Sequence, residues 1–60
     1  MLKHILEGLR IIGQYASNVQ AEHDQIWAGE DDMPLTAEEI ETLAACGWEI
    51  ADEGGWTFTL

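Results

Sequence analysis

A single cysteine in a chain of 60 residues is the feature that most limits how this protein can fold. Cys46 cannot form an internal disulfide, and no Cys/His group has zinc-site spacing, so the usual covalent and metal supports of a very small domain are missing. A chain of this length buries only about 60% of the surface that its unfolded form exposes. Stability must therefore come from a compact apolar core, to which Trp27, Trp48 and Trp56 bring large apolar areas. We expect one compact domain over residues 1–60.

The first half of the chain is predicted to form a helix and then a strand. Apolar residues at i, i+3, i+4 and i+7 spacing predict an amphipathic helix over residues 2–17, in which Gly8 and Gly13 either weaken the helix or mark close packing. Residues 20–28 follow neither helical nor alternating periodicity, and we interpret them as one strand with a bulge. The acids and the proline of residues 29–34 then predict a loop.

The second helix has sequence signals at both of its ends. Thr36 and Glu39 match the capping box, in which each side chain accepts a hydrogen bond from the other residue's backbone N–H group. Gly47 suits the left-handed position that commonly follows a helix. These signals predict a helix over residues 36–46, with Cys46 as a small apolar residue at its end.

Alternation of apolar and polar residues predicts a C-terminal hairpin, with strands over residues 48–53 and 56–60 and a turn at Gly54-Gly55. The element order α-β-α-β-β predicts an α+β fold in which two helices pack on one face of a three-stranded, mostly antiparallel sheet. The predicted inner face of the hairpin consists of Trp48, Ile50, Trp56 and Phe58.

The charge of the chain is strongly negative and unevenly distributed. Twelve acids and two bases give a formal net charge of −10 at pH 7. Lys3 and Arg10 are the two bases, and residues 11–60 contain eleven of the acids and no lysine or arginine. Such a surface repels nucleic acids and anionic membranes, so we expect no direct nucleic-acid or membrane binding, and it suits basic protein surfaces.

The acids fall on the predicted outward positions of successive elements, and Trp27 flanks them as a residue of either the core or an interface. A carboxylate array can satisfy a groove lined with lysine and arginine much as phosphates do. The alternative is that the acids only keep the protein soluble. The candidate partner-binding residues are Glu30, Asp31, Asp32, Glu38, Glu41, Glu49, Asp52, Glu53 and Trp27.

Catalytic and metal-binding patterns are weak in this sequence. His23 and Asp24 are adjacent in the predicted strand and would point to opposite faces, so we interpret His23 as a packed histidine beneath the helices. A metal site from Glu22, His23 and Asp24, or from the acidic loop, would lack the ligand spacing of an EF-hand. We therefore expect no catalytic residues, no metal and no cofactor, and predict that the protein is not an enzyme.

Residues 21–29, AEHDQIWAG, carry a resemblance to a known group of proteins. This run, the acidic loop, the capped helix after Leu35, the strand after Gly47 and the final strand at Trp56 resemble small acidic proteins of phages and mobile elements that share an "AEHD-x-I-aromatic" core. Among such proteins, the chain is similar to the anti-CRISPR inhibitors of type I-C systems.

The resemblance implies an inhibitor that binds the Cascade surveillance complex at its large subunit and competes with target DNA by mimicking its negative charge. The leading hypothesis is therefore a stoichiometric inhibitor acting in the host-cell cytoplasm. A second hypothesis is a regulatory module that docks through Trp27 or an apolar helix face, and a third is a small metal protein or enzyme. We expect a monomer, with a dimer as the alternative.

Overall fold

A computed structural model describes residues 2–60 as two helices and one antiparallel sheet of four strands. The α+β class predicted from the sequence is confirmed, but the sheet has four strands rather than three. The strands lie in the order β1-β2-β4-β3. The elements are α1 (Leu2–Ile12), β1 (Val19–Glu22), β2 (Gln25–Ala28), α2 (Ala37–Ala45), β3 (Glu49–Ile50) and β4 (Trp56–Thr59).

The extra strand arises because residues 20–28 form a hairpin, not the single bulged strand that we predicted. His23 and Asp24 make the turn, and Glu22 pairs with Gln25 on either side of it. His23 has a φ of 47°, in the left-handed region that histidine adopts more readily than most residues. The Leu60 N–H donates to the Asp24 carbonyl over 2.7 Å. The prediction of a packed His23 was wrong, since this residue is exposed in the turn.

Helix α1 ends at Ile12, five residues before the predicted end at residue 17. Gly13 has low helix propensity, and the chain tightens there into i→i+3 bonds, such as that from the Tyr15 N–H to the Ile12 carbonyl at 3.0 Å. The turn brings the Tyr15 hydroxyl to Glu39, to which it donates over 2.7 Å. This bond links the end of α1 to the beginning of α2.

The predicted capping of α2 is confirmed in detail. The Glu39 N–H donates to Thr36 Oγ1 over 3.1 Å, and the Thr36 N–H donates to Glu39 Oε1 over 2.9 Å. At the other end Gly47 has a φ of 100°, and the Trp48 N–H donates to the Leu43 carbonyl over 3.0 Å. This is the Schellman arrangement, which places Trp48 directly beneath the helix that it follows.

The hydrogen bond between Tyr15 and Glu39, which links the two helices, should make the stability of the fold depend on pH. The Thr36 N–H and then the Tyr15 hydroxyl hold the pKa of Glu39 below its usual value, and Arg10 adds a small electrostatic contribution. Because its pKa is lowered in the folded state, Glu39 contributes its full stabilisation at pH values above its unfolded-state pKa of about 4.3. This stabilisation is lost as the pH falls through the lowered pKa of the folded state. In an NMR titration of the carboxyl groups, Glu39 should titrate below that value, and Tyr15→Phe should move its pKa upward. A Glu39 pKa at or above 4.3 in the wild-type protein would contradict this interpretation.

The core lies between the two helices and one face of the sheet. Strands β2 and β4 present Ala28, Trp56 and Phe58 to the helices, because directly paired residues of antiparallel strands share a face. Trp48 fills the centre, and its ring centroid lies 5.4 Å from that of Phe58. The buried cluster consists of Ile11, Ile12, Ala28, Leu43, Trp48, Trp56 and Phe58.

The C-terminal hairpin is shorter than the predicted strands over 48–53 and 56–60. Strand β3 has only two residues, and the Ala51 N–H bonds to the Gly55 carbonyl over 3.0 Å, so the connecting loop starts before the glycines. The inner-face prediction is confirmed for three of its four residues. It was wrong for Ile50, which is 71% exposed because it lies on an edge strand that the helices do not cover.

Candidate functional site: an acidic groove on the open face of the sheet

The helices leave the opposite face of the sheet open, and the strand register determines which side chains lie on it. Gln20 pairs with Trp27, Trp27 pairs with Thr57, and Thr57 pairs with Glu49. These pairs form one row across all four strands, since directly opposed residues share a face. A second row of this open face consists of Glu22, Gln25 and Thr59.

Trp27 is the large aromatic side chain of the open face. It is half-buried and lies outside the core cluster, so it belongs to the surface of the sheet and not to the core. Beside it, the Gln25 amide donates to Thr57 Oγ1 over 2.9 Å, and this hydroxyl donates to the Ile26 carbonyl over 2.9 Å. These hydrogen bonds hold the polar side chains of Gln25 and Thr57 in fixed positions on the strands that carry or pair with Trp27.

Two acidic loops that are distant in sequence meet at one end of this face. A Cβ atom on Gly55 would lie 2.6 Å from the Gly29 carbonyl oxygen, so only glycine permits this close approach of the two backbones. The Asn18 side-chain amide also donates to the Gly29 carbonyl over 2.9 Å. In consequence the Asp31 carboxylate lies against Gly54, within 3.2–3.3 Å of where a Cβ atom on that residue would be.

An open depression, which we call the acidic groove, runs from β1 over Trp27 to these two loops. A smaller depression shares Trp27 and Glu53 with the acidic groove and is also lined by Gln25, Ile50, Asp52 and Thr57. The carboxylates of the acidic groove come from a strand and from both loops. Its lining includes Gln20, Glu22, Trp27, Glu30, Asp31, Asp32 and Glu53.

The predicted partner-binding residues divide into two separate groups. The structure brings Glu30, Asp31, Asp32, Glu53 and Trp27 into the acidic groove, while Asp52 lines the smaller depression and Glu49 lies in the same row as Trp27. Helix α2 packs on the other face of the sheet through Leu43. Its exposed acids, Glu38 and Glu41, line neither depression.

Among the described residues, 2–60, no lysine or arginine lines the groove. The two bases, Lys3 and Arg10, lie on α1 in the helix layer, and Arg10 forms an exposed ion pair with Glu7. The charged side chains that line the acidic groove are therefore all negative, which favours a basic ligand.

The sequence interpretation missed Gln20, Glu22 and Gln25 as residues of this surface. The sequence contained one signal for them, which is the alternation of side chains on both sides of His23-Asp24. If these two residues close a hairpin, Gln20, Glu22, Gln25 and Trp27 fall on one face of the sheet. Interpreting residues 20–28 as one strand removed that information.

Over residues 2–60, no group of three or more His, Cys, Asp or Glu side chains is placed to hold a metal ion. Glu22, His23 and Asp24 are spread along the end of β1 and its turn. Cys46 is half-buried against the core. In the same range no helix has the length and apolar character needed to cross a membrane.

Comparisons with protein-family models, with curated proteins and with solved structures give no match to this chain. The arguments about function therefore rest on the residues and on their geometry.

Proposed function

We propose that this protein is a stoichiometric binding protein whose acidic groove occupies a basic, nucleic-acid-binding surface of another protein. The observation that carries the proposal is the convergence of carboxylates from β1 and two distant loops around Trp27, in a lining without any lysine or arginine. Composition alone would allow the acids to be spread evenly for solubility. The meeting of acids from three separate segments in one groove without a lysine or arginine favours a binding role.

The chemistry of the groove suits a partner rich in arginine and lysine. Carboxylates accept charge-assisted hydrogen bonds from guanidinium and ammonium groups, as phosphate oxygens do. The exposed part of the Trp27 ring adds a surface on which a guanidinium can stack, an interaction worth about 0.5–2 kcal/mol depending on its exposure. The negative potential also speeds the encounter with a basic surface.

For the particular partner we propose the large subunit of a type I-C Cascade complex, where the protein would block target DNA. This finer proposal is supported by the resemblance of residues 21–29 to small acidic proteins of phages and mobile elements, among which are anti-CRISPR inhibitors, and by the net charge of −10. The mode of action is DNA mimicry in the cytoplasm of the host cell, without catalysis or a cofactor. The protein binds a protein and not the nucleic acid itself.

A DNA-competition assay tests this function. Purified type I-C Cascade is mixed with labelled target DNA and increasing amounts of the protein, and DNA binding is followed by gel shift. We expect DNA binding to be lost near one equivalent of the protein, and the affinity of the protein for Cascade to fall as salt is raised. Binding that leaves DNA recognition intact, or that does not respond to salt, would contradict mimicry.

A second candidate function is docking through Trp27 with the acids acting only as solubilising charges. It is favoured by the position of Trp27, which is half-buried and lines both depressions. In the same assay Trp27→Ala should then weaken binding more than reversal of the groove acids does. The apolar helix face offers the other version of this candidate through Leu2 and Leu6, which are 67% and 56% exposed.

A further inference from the structure

The sheet has one edge strand that is open to a further strand. The order β1-β2-β4-β3 leaves β1 and β3 at the edges, and β3 has only two residues. Strand β1 has four residues in unbroken register with β2, all of them exposed. It contains no proline, lysine or bulge, and its one charged side chain is Glu22 at the end next to the turn.

The hydrogen-bond alternation shows which backbone groups β1 directs outward. The Gly29 N–H donates to the Asn18 carbonyl over 3.2 Å, just beyond the end of the strand pair. Bonded and non-bonded pairs alternate along antiparallel strands, so Gln20 and Glu22 bond to β2 while Val19 and Ala21 direct their N–H and C=O groups away from it. Outside the strand pairing, no main-chain hydrogen bond within residues 2–60 uses these groups of Val19 or Ala21.

The charge next to this edge selects the kind of strand that can pair there. Val19, Gln20 and Glu22 belong to the lining of the acidic groove, so a strand added to β1 would place side chains beside that groove. A second copy of the chain carries the same net charge of −10 and would bring like charges together. An extended segment that carries arginine complements both the edge and the groove.

We propose that β1 binds an extended, arginine-bearing segment of a basic protein as an antiparallel fifth strand, with the arginines of that segment directed into the acidic groove. The inference rests on the proposed function for the charge of the partner. In this pairing, the residues of the added strand that bond to Val19 and Ala21 place their side chains on the helix side of the sheet. The alternate residues of the added strand are the arginines. They lie opposite Gln20 and Glu22, and their guanidinium groups extend toward Trp27.

The test uses a fluorescent peptide of about ten residues with alternating arginine and threonine, long enough to span one strand. Two further peptides carry N-methyl groups on either the threonine or the arginine backbone nitrogens, with no change in charge. The protein variant is Ala21→Pro, which removes one outward N–H and leaves the β1–β2 bonds intact, because proline is tolerated on an edge strand. Binding is measured at physiological ionic strength, and thermal unfolding checks that the variant is folded.

We expect the unmodified peptide to bind, and the threonine-methylated peptide and Ala21→Pro each to weaken binding roughly tenfold through lost backbone hydrogen bonds. The arginine-methylated peptide should bind as the parent peptide does, and the Ala21 amide should exchange more slowly in the complex. Equal binding of all three peptides, failure of the parent peptide to bind, or self-association of the protein through β1 would overturn the inference. The methylated peptides decide the matter if Ala21→Pro does not fold.

The failure of this inference and of the proposed function can be distinguished. If reversal of the groove acids weakens peptide binding while blocking the edge does not, the acidic groove still binds basic partners and only the added strand is wrong. If reversal of the groove acids has no effect, the proposed function itself is wrong.

Discussion

Replacing Gly8 by alanine should destabilise the protein by about 2–3 kcal/mol through overpacking, although alanine usually favours a helix by about 1 kcal/mol over glycine. A Cβ atom on Gly8 would lie 2.0 Å from Nε1 and 2.3 Å from Cε2 of Trp48. The indole cannot move away easily, because Trp48 is 2% exposed, packs against Phe58 and donates to the His4 carbonyl over 3.1 Å. At roughly 0.05–0.15 kcal/mol per residue, a domain of this size has little stability to lose.

Urea unfolding followed by tryptophan fluorescence measures this effect, and Trp48→Phe provides the matched background. The smaller ring should relieve the clash, so Gly8→Ala should cost less in the Trp48→Phe protein, with a coupling on the order of 1 kcal/mol. If Gly8→Ala instead stabilises the wild-type protein, Trp48 does not lie on the backbone of α1, and the arrangement of helices over the sheet described above is wrong.

The features that the sequence predicted correctly depend on neighbouring residues. The capping box of Thr36 and Glu39 requires only a four-residue match, and the end of α2 at Gly47 requires a residue that tolerates positive φ. The burial of Trp56 and Phe58 follows from alternation within one strand.

The features that the sequence did not predict depend on contacts between distant residues. The turn at His23-Asp24 contains no glycine or asparagine, and its Asp24 carbonyl bonds to Leu60 at the other end of the chain. The early end of α1 accompanies a bond from Tyr15 to a residue of the other helix. The exposure of Ile50 depends on how far the helices extend over the sheet, which no local pattern records.

The position of the candidate site was only partly predictable for the same reason. The sequence shows that the negative charge follows residue 10 and that several acids lie outward. Which acids converge depends on the close approach of Gly55 to Gly29, and this approach brings the loop of Asp31 to the loop of Glu53. Glu38 and Glu41 look equally suitable in the sequence, but they lie on α2 and do not line the groove.

The division of the acids leads to the second large prediction. The double variant Asp31→Lys/Glu53→Lys reverses two charges of the acidic groove, whereas Glu38→Lys/Glu41→Lys reverses two charges on the exposed face of α2. Each acid-to-lysine change adds two charge units, so both variants move equally from −10. Any effect of net charge alone must therefore be the same in the two proteins.

We expect the groove variant to bind a basic partner roughly 100-fold more weakly, a loss of about 3 kcal/mol, because two carboxylates that accept from the partner are replaced by repelling cations. The helix variant should change affinity by less than about threefold, as expected for exposed charges outside the contact. The groove variant should also keep its stability to within about 0.5 kcal/mol of the wild-type value, since both replaced side chains are exposed. Lost binding would then not be a consequence of unfolding.

The most direct measurement is a parallel titration of the wild-type protein and these two variants against the alternating arginine–threonine peptide, with dissociation constants determined at the same ionic strength. If the acidic groove is the binding site, only the Asp31→Lys/Glu53→Lys variant should lose affinity for the peptide. Equal weakening in the two variants, or a larger loss in Glu38→Lys/Glu41→Lys, would show that the negative charge acts as a bulk property or through the helix face, and would contradict the central claim.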